Sequence, residues 1–379
     1  MNNKQISTSV LVAASIFVST PLFAEEAFTG SSGIDKIYSF GDSLTDTGNF
    51  FNITNGAFPP NGYYFNGRFS NGRIWNEKLE QQLGIKKKSR NYYQPMGQNL
   101  TSLDRGLNFA VGGSKTGLGH INPDADCTVT NTRCLGLQAQ IDDYKNLLNG
   151  GQADPNALYI IWSGANDYFD PSGTFPNPLE TVGNIATAAF ELAALGAKNI
   201  AIANLPNLGD IPLAQRQGEP AITSANLLTA AHNQLLSFAV GGLGFAFQNT
   251  NFIELEINQL ASEILNNPRE YGFIDNAKSE NCTNIDDFPV LPSPDELTFC
   301  SNPNKYAFWD NQHPTRRLHR EISEYAYEEI VSSLDGVSST QFSVAASTAK
   351  ESVPEPSAVV AITLLGFGVL QQMRGGKRS

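Results

Sequence analysis

The chain is 379 residues long, with 41% hydrophobic and 16% charged residues, 33 glycines and 20 prolines. This is an ordinary globular composition, which excludes disordered, collagen-like and wholly membrane-embedded classes. Lys and Arg total 25 against 37 Asp and Glu, a formal net charge of −12, and no basic block is long enough to follow a phosphate backbone. No nucleic acid is expected as a partner.

The first two dozen residues carry Lys4, a mostly apolar stretch from Val10 to Phe23, and Ala24 before the acidic step Glu25-Glu26. A charged start, a short apolar core and a small residue before the step predict a secretory signal over residues 1–24. Leu22 departs from the small-x-small pattern of such sites.

The first strand-like run is Ile37-Tyr38-Ser39-Phe40, followed by Gly41-Asp42-Ser43-Leu44-Thr45-Asp46-Thr47-Gly48-Asn49. A serine just beyond a strand, in a polar turn with glycine, is placed like a nucleophile, although the Gly-x-Ser-x-Gly elbow is absent; Gly-Asp-Ser is equally good turn chemistry. Asp42, Asp46 and, later, Asp167 read as groups that order turns around it. Next come Phe50, Phe51, Phe58, Tyr63, Tyr64, Phe65 and Phe69. They suit either an aromatic wall for an acyl chain or an insertion packing a small core of its own.

A helical pattern runs from Gly72 to Leu83, and the basic run Lys86 to Arg90 reads as a solvated turn after it. Leu107-Asn108-Phe109-Ala110 is a poorer strand, leading into Val111-Gly112-Gly113-Ser114, where glycines allow backbone N–H groups close to a ligand. A helix is predicted over Leu137 to Leu148, then a strand over Leu158 to Trp162 that ends in Ser163-Gly164-Ala165-Asn166-Asp167, whose Asn166 amide could donate into the same crevice. A helix over Pro178 to Leu195, a strand over Ile200 to Leu205, a helix from Pro220 to about Val240 and a strand over Phe252 to Leu255 follow. His120, His232 and His319 have no evident serine partner.

Phe308-Trp309-Asp310-Asn311-Gln312-His313-Pro314-Thr315 opens a last helix, Pro314 to Leu334. The proline pushes His313 into an extended conformation on the loop entering that helix, where Asp310 can accept its Nδ1–H and fix the tautomer. A neutral imidazole so oriented can take a serine proton, the logic of acyl transfer. No Asp/His cluster suggests a metal, and no cofactor is expected.

Cys127, Cys134, Cys282 and Cys300 all lie in the middle of the chain. Given export, the expected pairs are Cys127 with Cys134 and Cys282 with Cys300, stapling Asn/Asp/Pro-rich insertions rather than the core. A zinc site lacks the close Cys pairs it needs, and free thiols are the remaining alternative. Residues 337–353, rich in Ser, Thr and Ala, read as a flexible stalk. Val353-Pro354-Glu355-Pro356-Ser357 then precedes the apolar run Ala358 to Leu370 and a basic end with Arg374, Lys377 and Arg378. Thirteen residues are fewer than the roughly 20 that span a bilayer comfortably.

Short apolar runs bounded by Gly, Pro and Asn and alternating with helices imply a parallel sheet covered on both faces, with its ligands beyond the carboxyl ends of the strands. The four blocks Phe-Gly-Asp-Ser-Leu, Asn-Phe-Ala-x-Gly-Gly, Gly-x-Asn-Asp and Phe-Trp-Asp-x-x-His-Pro-Thr, in that order, resemble the GDSL (SGNH-hydrolase) family of lipases and esterases; Phe69-Ser70-Asn71-Gly72-Arg73 adds a likeness to its secreted acylhydrolase branch. The resemblance implies a flavodoxin-like three-layer α/β/α sandwich over residues 34–336, with the strand-like runs in the order 2-1-3-4-5. It also implies Ser43 as nucleophile, His313 as general base and acid, Asp310 as orienting carboxylate, and an oxyanion hole of the Ser43 and Gly113 N–H groups and the Asn166 side chain.

Residues 354–379 resemble a PEP-CTERM sorting signal. That implies a transient inner-membrane anchor, an exosortase-type processing partner and an extracellular or outer-envelope product. The expected substrate is an ester or lipid; deacetylation of extracellular polysaccharide, or a catalytically idle surface or matrix protein, are the alternatives.

Overall fold

The computed structural model describes residues 33–121, 134–169, 176–286 and 290–336. The expected export signal, stalk and PEP-CTERM segment lie outside them, as does Cys127. Among the described residues no helix is long and apolar enough to cross a membrane.

In chain order the elements are β1 (Lys36–Gly41), α1 (Asn49–Ile53), α2 (Trp75–Gln82), β2 (Arg90–Asn91), β3 (Leu107–Asn108), α3 (Leu137–Leu148), β4 (Ala157–Trp162), α4 (Ala165–Tyr168), α5 (Pro178–Ala194), β5 (Asn199–Ala203), α6 (Pro212–Gln217), α7 (Ala221–Ala246), β6 (Asn251–Leu255), α8 (Ile257–Asn266) and α9 (Arg316–Leu334). The strands form one sheet in the order β2-β3-β1-β4-β5-β6, every pairing parallel. The five expected strands stand in the expected order. The sixth, β2, extends the sheet by two polar residues at the end of a run read as a turn, too short and too hydrophilic to show a period.

The strands are buried on both faces because successive side chains feed opposite cores. On one side Tyr38 and Phe40 of β1 and Tyr159 of β4 pack with Tyr144 of α3, Val182 and Ile185 of α5, and Leu236 of α7. On the other, Ile37, Leu158 and Ile160 pack with Trp75 and Leu79 of α2, Ile264 of α8, and Leu318 and Ile322 of α9. Three layers result.

Five helices were expected and are present, their ends within a few residues of the predicted ones except α7, which runs on to Ala246. The unexpected α8 carries buried Ile257, Ala261, Ile264 and Leu265, an i, i+4, i+7, i+8 stripe that is legible in the sequence once sought. It starts only two residues after β6, so strand and helix read as one apolar stretch.

Glycine at the end of β1 answers a close approach. Gly41 has φ +144° and faces Trp162 in β4, and a Cβ there would lie 2.0 Å from the Trp162 carbonyl oxygen. Gly41→Ala should therefore destabilise the fold by about 1–3 kcal/mol or more, read as a lower urea midpoint with unchanged slope.

Candidate active site

Ser43 and the pair Asp310 and His313, some 270 residues further on, form a hydrogen-bonded chain. The Ser43 Oγ lies 3.0 Å from His313 Nε2, and His313 Nδ1 lies 2.7 Å from Asp310 Oδ2. Ser43 follows the carboxyl end of β1, in the crevice expected of such a sheet. Asp310 and His313 sit on the loop before α9, closed by the Trp309 N–H donating to the His313 carbonyl at 2.7 Å.

The Asp310 carboxylate is fully buried and accepts four hydrogen bonds: the His313 N–H (2.7 Å) and Gln312 N–H (2.9 Å) on Oδ1, and His313 Nδ1 and the Tyr64 hydroxyl (2.7 Å) on Oδ2. Burial alone would raise this carboxyl. The charge and hydrogen bond of His313, with Tyr64 and Gln312, outweigh it and hold the group below the ordinary carboxylate value. The oriented pair keeps the imidazole edge toward Ser43.

Neighbouring blocks hold this loop. Ser70 Oγ donates to the Pro314 carbonyl (2.8 Å), and Asn71 Oδ1 accepts the Arg316 N–H (2.7 Å) at the first turn of α9. Phe69 lies against the His313 ring at 5.1 Å between centroids. The disulfide Cys282–Cys300 is formed as expected, and Cys134 is disulfide-bonded as well. The stapled insertion is not remote from the site. The Cys282 N–H donates to the Phe308 carbonyl (3.0 Å), the Asn311 N–H to the Ile285 carbonyl (3.2 Å), and Cys282 packs with Tyr63, Tyr64, Ile285 and Trp309.

The aspartates near Ser43 order backbone. Asp46 accepts the N–H groups of Gly48, Asn49, Phe50 and Gly112, at 2.6 to 3.0 Å. Asp167 takes the Thr116 N–H (3.0 Å) and hydroxyl (2.7 Å). Asp42 accepts the Leu44 N–H (3.0 Å), and burial pushes its carboxyl up to about 7 against that bond and the charge of His313. A buried amide missed in the sequence, Gln140, grips both backbone groups of Gly41 at 2.8 Å. His120, set aside in the sequence, is buried over the glycine block, with Nε2 2.6 Å from the Gly112 carbonyl. His232 is packed against the Tyr168 hydroxyl (2.8 Å), and burial lowers it to about 4; His319 is buried and lowered to about 3.

Of the three expected oxyanion donors, the Ser43 and Gly113 N–H groups make no internal hydrogen bond among the described residues. They follow the adjacent strands β1 and β3. Asn166 donates one amide hydrogen to the Ser114 carbonyl (2.9 Å), which orients it and leaves the other. Ser43, Asn166 and His313 open into one apolar pocket whose far wall is Phe169, Leu208, Ile211, Ile257, Leu260 and Leu265. The aromatic run is elsewhere: Phe50 and Phe69 are core residues with Phe58 packed on them, while Tyr63 and Tyr64 pack on the disulfide. The packing alternative holds for that insertion.

The family model for GDSL-like lipases and acylhydrolases matches residues 37–326, which takes in every block of this site. The chain belongs to the GDSL-like lipase/acylhydrolase family. A GDSL esterase/lipase of Arabidopsis thaliana is 28% identical, over 88% of this chain and 100% of the relative. A phosphatidylcholine-sterol acyltransferase of Aeromonas hydrophila is 26% identical over 79% and 91%, and a thermolabile hemolysin of Vibrio parahaemolyticus 25% over 81% and 66%. This GDSL protein is a hydrolase of ester bonds.

Two predictions follow from its carboxylates. Tyr64→Phe should cost about 1.5–3 kcal/mol at neutral pH, because the removed hydrogen bond goes to an ion. Asp310 has a depressed folded pKa, so this contribution is present above the ordinary carboxylate value and lost as pH falls through the folded one; the variant's deficit in urea should shrink in acid. Asp42 has the opposite sign. Between its unfolded value and about 7 the unfolded chain has lost the proton that the folded chain keeps, so stability falls as pH rises through that window. Asp42→Asn should flatten that part of the stability–pH curve.

Proposed function

We propose that this GDSL enzyme is an exported serine hydrolase that cleaves carboxylic or lipid acyl esters through an acyl-enzyme on Ser43. The observation that carries the reading is the unbroken chain Ser43–His313–Asp310 opening into an apolar pocket. His313 Nε2 takes the Ser43 proton as Oγ attacks the ester carbonyl, and Asp310 holds the Nδ1–H and stabilises the imidazolium. The tetrahedral oxyanion accepts the Ser43 and Gly113 N–H groups and the free amide hydrogen of Asn166. Collapse expels the alcohol, protonated by His313. Water, deprotonated by the same imidazole, then releases the acid and restores Ser43.

The pocket wall supports an acyl chain longer than acetyl, since burying methylenes gains about 0.8 kcal/mol each. Polysaccharide deacetylation would leave that wall unused. Export is supported by the signal-like residues 1–24 and by the disulfide, which persists in oxidising compartments. Processing by an exosortase, from a transient inner-membrane anchor, rests on the likeness of residues 354–379 to a sorting signal.

Fluorophosphonate labelling, followed by kinetics on p-nitrophenyl esters of rising chain length and on acetylated glycans, tests the reading. Ser43→Ala should abolish labelling. Asn166→Ala should lower kcat by roughly 10²–10³, or 2.7–4 kcal/mol, without loss of fold. Wild-type turnover in Asn166→Ala would remove it from the oxyanion hole, labelling independent of Ser43 would refute the nucleophile, and preference for acetyl glycans over every longer ester would favour the deacetylase. No labelling at all would leave the idle surface protein.

A further inference from the structure

The turn after β1 has a second side. Ser43 faces the apolar pocket, whereas Thr47 lines a separate cleft of about 680 Å³ between α2, the edge strand β2 and its neighbour β3. No residue lines both. The fifteen described residues around the second cleft are all polar or charged, so it is built for a hydrated, hydrogen-bonding ligand and not for an acyl chain.

Its charge is opposite to that of the protein. Four cations, Arg68, Arg73, Lys88 and Arg90, face it against two carboxylates, Glu77 and Glu80, a local surplus of two positive charges on a chain of net −12. Arg68 is committed to Glu77, with contacts of 2.7 and 3.3 Å, and Glu80 accepts the Ser89 N–H at 2.8 Å. The side chains of Arg73, Lys88 and Arg90 make no hydrogen bond or ion pair among the described residues. Arg73 and Lys88 line the same cleft and carry like charges. The Lys88 ammonium is lowered by partial burial first and, against the pull of Glu80, by the charge of Arg73. An anionic group between them would replace that repulsion with charge-assisted hydrogen bonds, the guanidinium fork offering two.

The floor is already ordered. Asn91 Nδ2 donates to the Thr47 carbonyl (3.1 Å), and the Asn108 and Asn76 amides both donate to the Thr45 carbonyl (2.7 and 3.0 Å). These amide hydrogens are spent on the backbone, so ligand hydroxyls would meet the rim instead, where the Gln81 amide and the Gln94 Oε1 make no hydrogen bond among the described residues. A simple oxyanion is far smaller than the cleft, and the absence of any aromatic lining residue leaves no platform for a stacked nucleobase.

We propose that this cleft binds an acidic saccharide, its carboxylate or sulfate held between Arg73 and Lys88 and its hydroxyls by the polar rim. The site is independent of the ester chemistry at Ser43. Calorimetry on the full chain tests it, using oligogalacturonate, polygalacturonate, neutral dextran oligomers and inorganic sulfate as probes. Oligogalacturonate should bind saturably at one site per chain, more weakly as salt rises, and neutral dextran should not bind. The double variant Arg73→Gln/Lys88→Gln should weaken binding at least about tenfold, while Lys305→Gln, an exposed cation elsewhere, should not. Turnover of a short soluble ester should be unchanged in both variants, showing intact folds. No oligosaccharide binding, equal binding of neutral dextran, sulfate binding as tightly as the oligomer, binding of the polymer only, or wild-type affinity in the double variant would each overturn the proposal.

Discussion

The site depends on one buried carboxylate. Asp46 is fully buried and accepts four backbone N–H groups, three from the turn that enters α1 and one from Gly112 beyond β3. It therefore ties together the segments that follow two adjacent strands, the one bearing Ser43 and the one bearing Gly113. Neither segment has regular secondary structure to fix it, and each leaves an N–H group without a partner among the described residues. Such donors remain unpaired at fixed positions only if the backbone around them is held by other means. Gln140 does the same for Gly41, and His120 caps the Gly112 carbonyl.

A second buried carboxylate, Asp310, repeats the device on the other side of the crevice, with two of its four donors from its own loop backbone. Here the third and fourth donors are chemical and positional: the imidazole that must be oriented, and Tyr64 from an insertion more than two hundred residues earlier. This explains why an aromatic-rich insertion follows the serine block directly. Three of its aromatic residues support the Asp310–His313 loop: Phe69 lies under the His313 ring, the Tyr64 hydroxyl donates to Asp310, and the Tyr63 carbonyl accepts the Trp309 indole N–H at 2.8 Å. The disulfide insertion closes on the same cluster from behind.

What could be read from the sequence follows from the range of the interactions. The strands of the parallel core and the longer helices repeat apolar residues at their own period, so their places were legible, whereas the order of the strands came from the resemblance of the four blocks to a known family. The four chemical blocks were legible because each pairs a glycine or proline constraint with a reactive side chain. The apolar pocket beside Ser43 was not, since Phe169, Leu208, Ile211, Leu260 and Leu265 come from three separate segments and each looks like an ordinary core residue in its own. The same holds for Tyr64 and Gln140, whose roles consist of partners 246 and 99 residues away. The long aromatic run left two readings open, because local density of rings says nothing about which side of the crevice they face.

The turn from Asp42 to Asn49 also separates two chemically opposed spaces. An apolar pocket can gain from water exclusion only if no uncommitted charge opens into it, and a cleft that holds unpaired cations is stable only where water or an anion can reach them. Placing Ser43 and Thr47 on opposite sides of one short turn meets both requirements without a second domain. The buried core of that turn, Thr45, Asp46 and Asn49 with Asn108 beneath, supplies the barrier: its polar groups are largely turned inward onto the backbone, so neither space is wetted or charged through the wall. Substitutions that loosen this wall would therefore couple the two spaces electrostatically, and the first group to register it would be Asp42, already poised near neutrality beside Ser43.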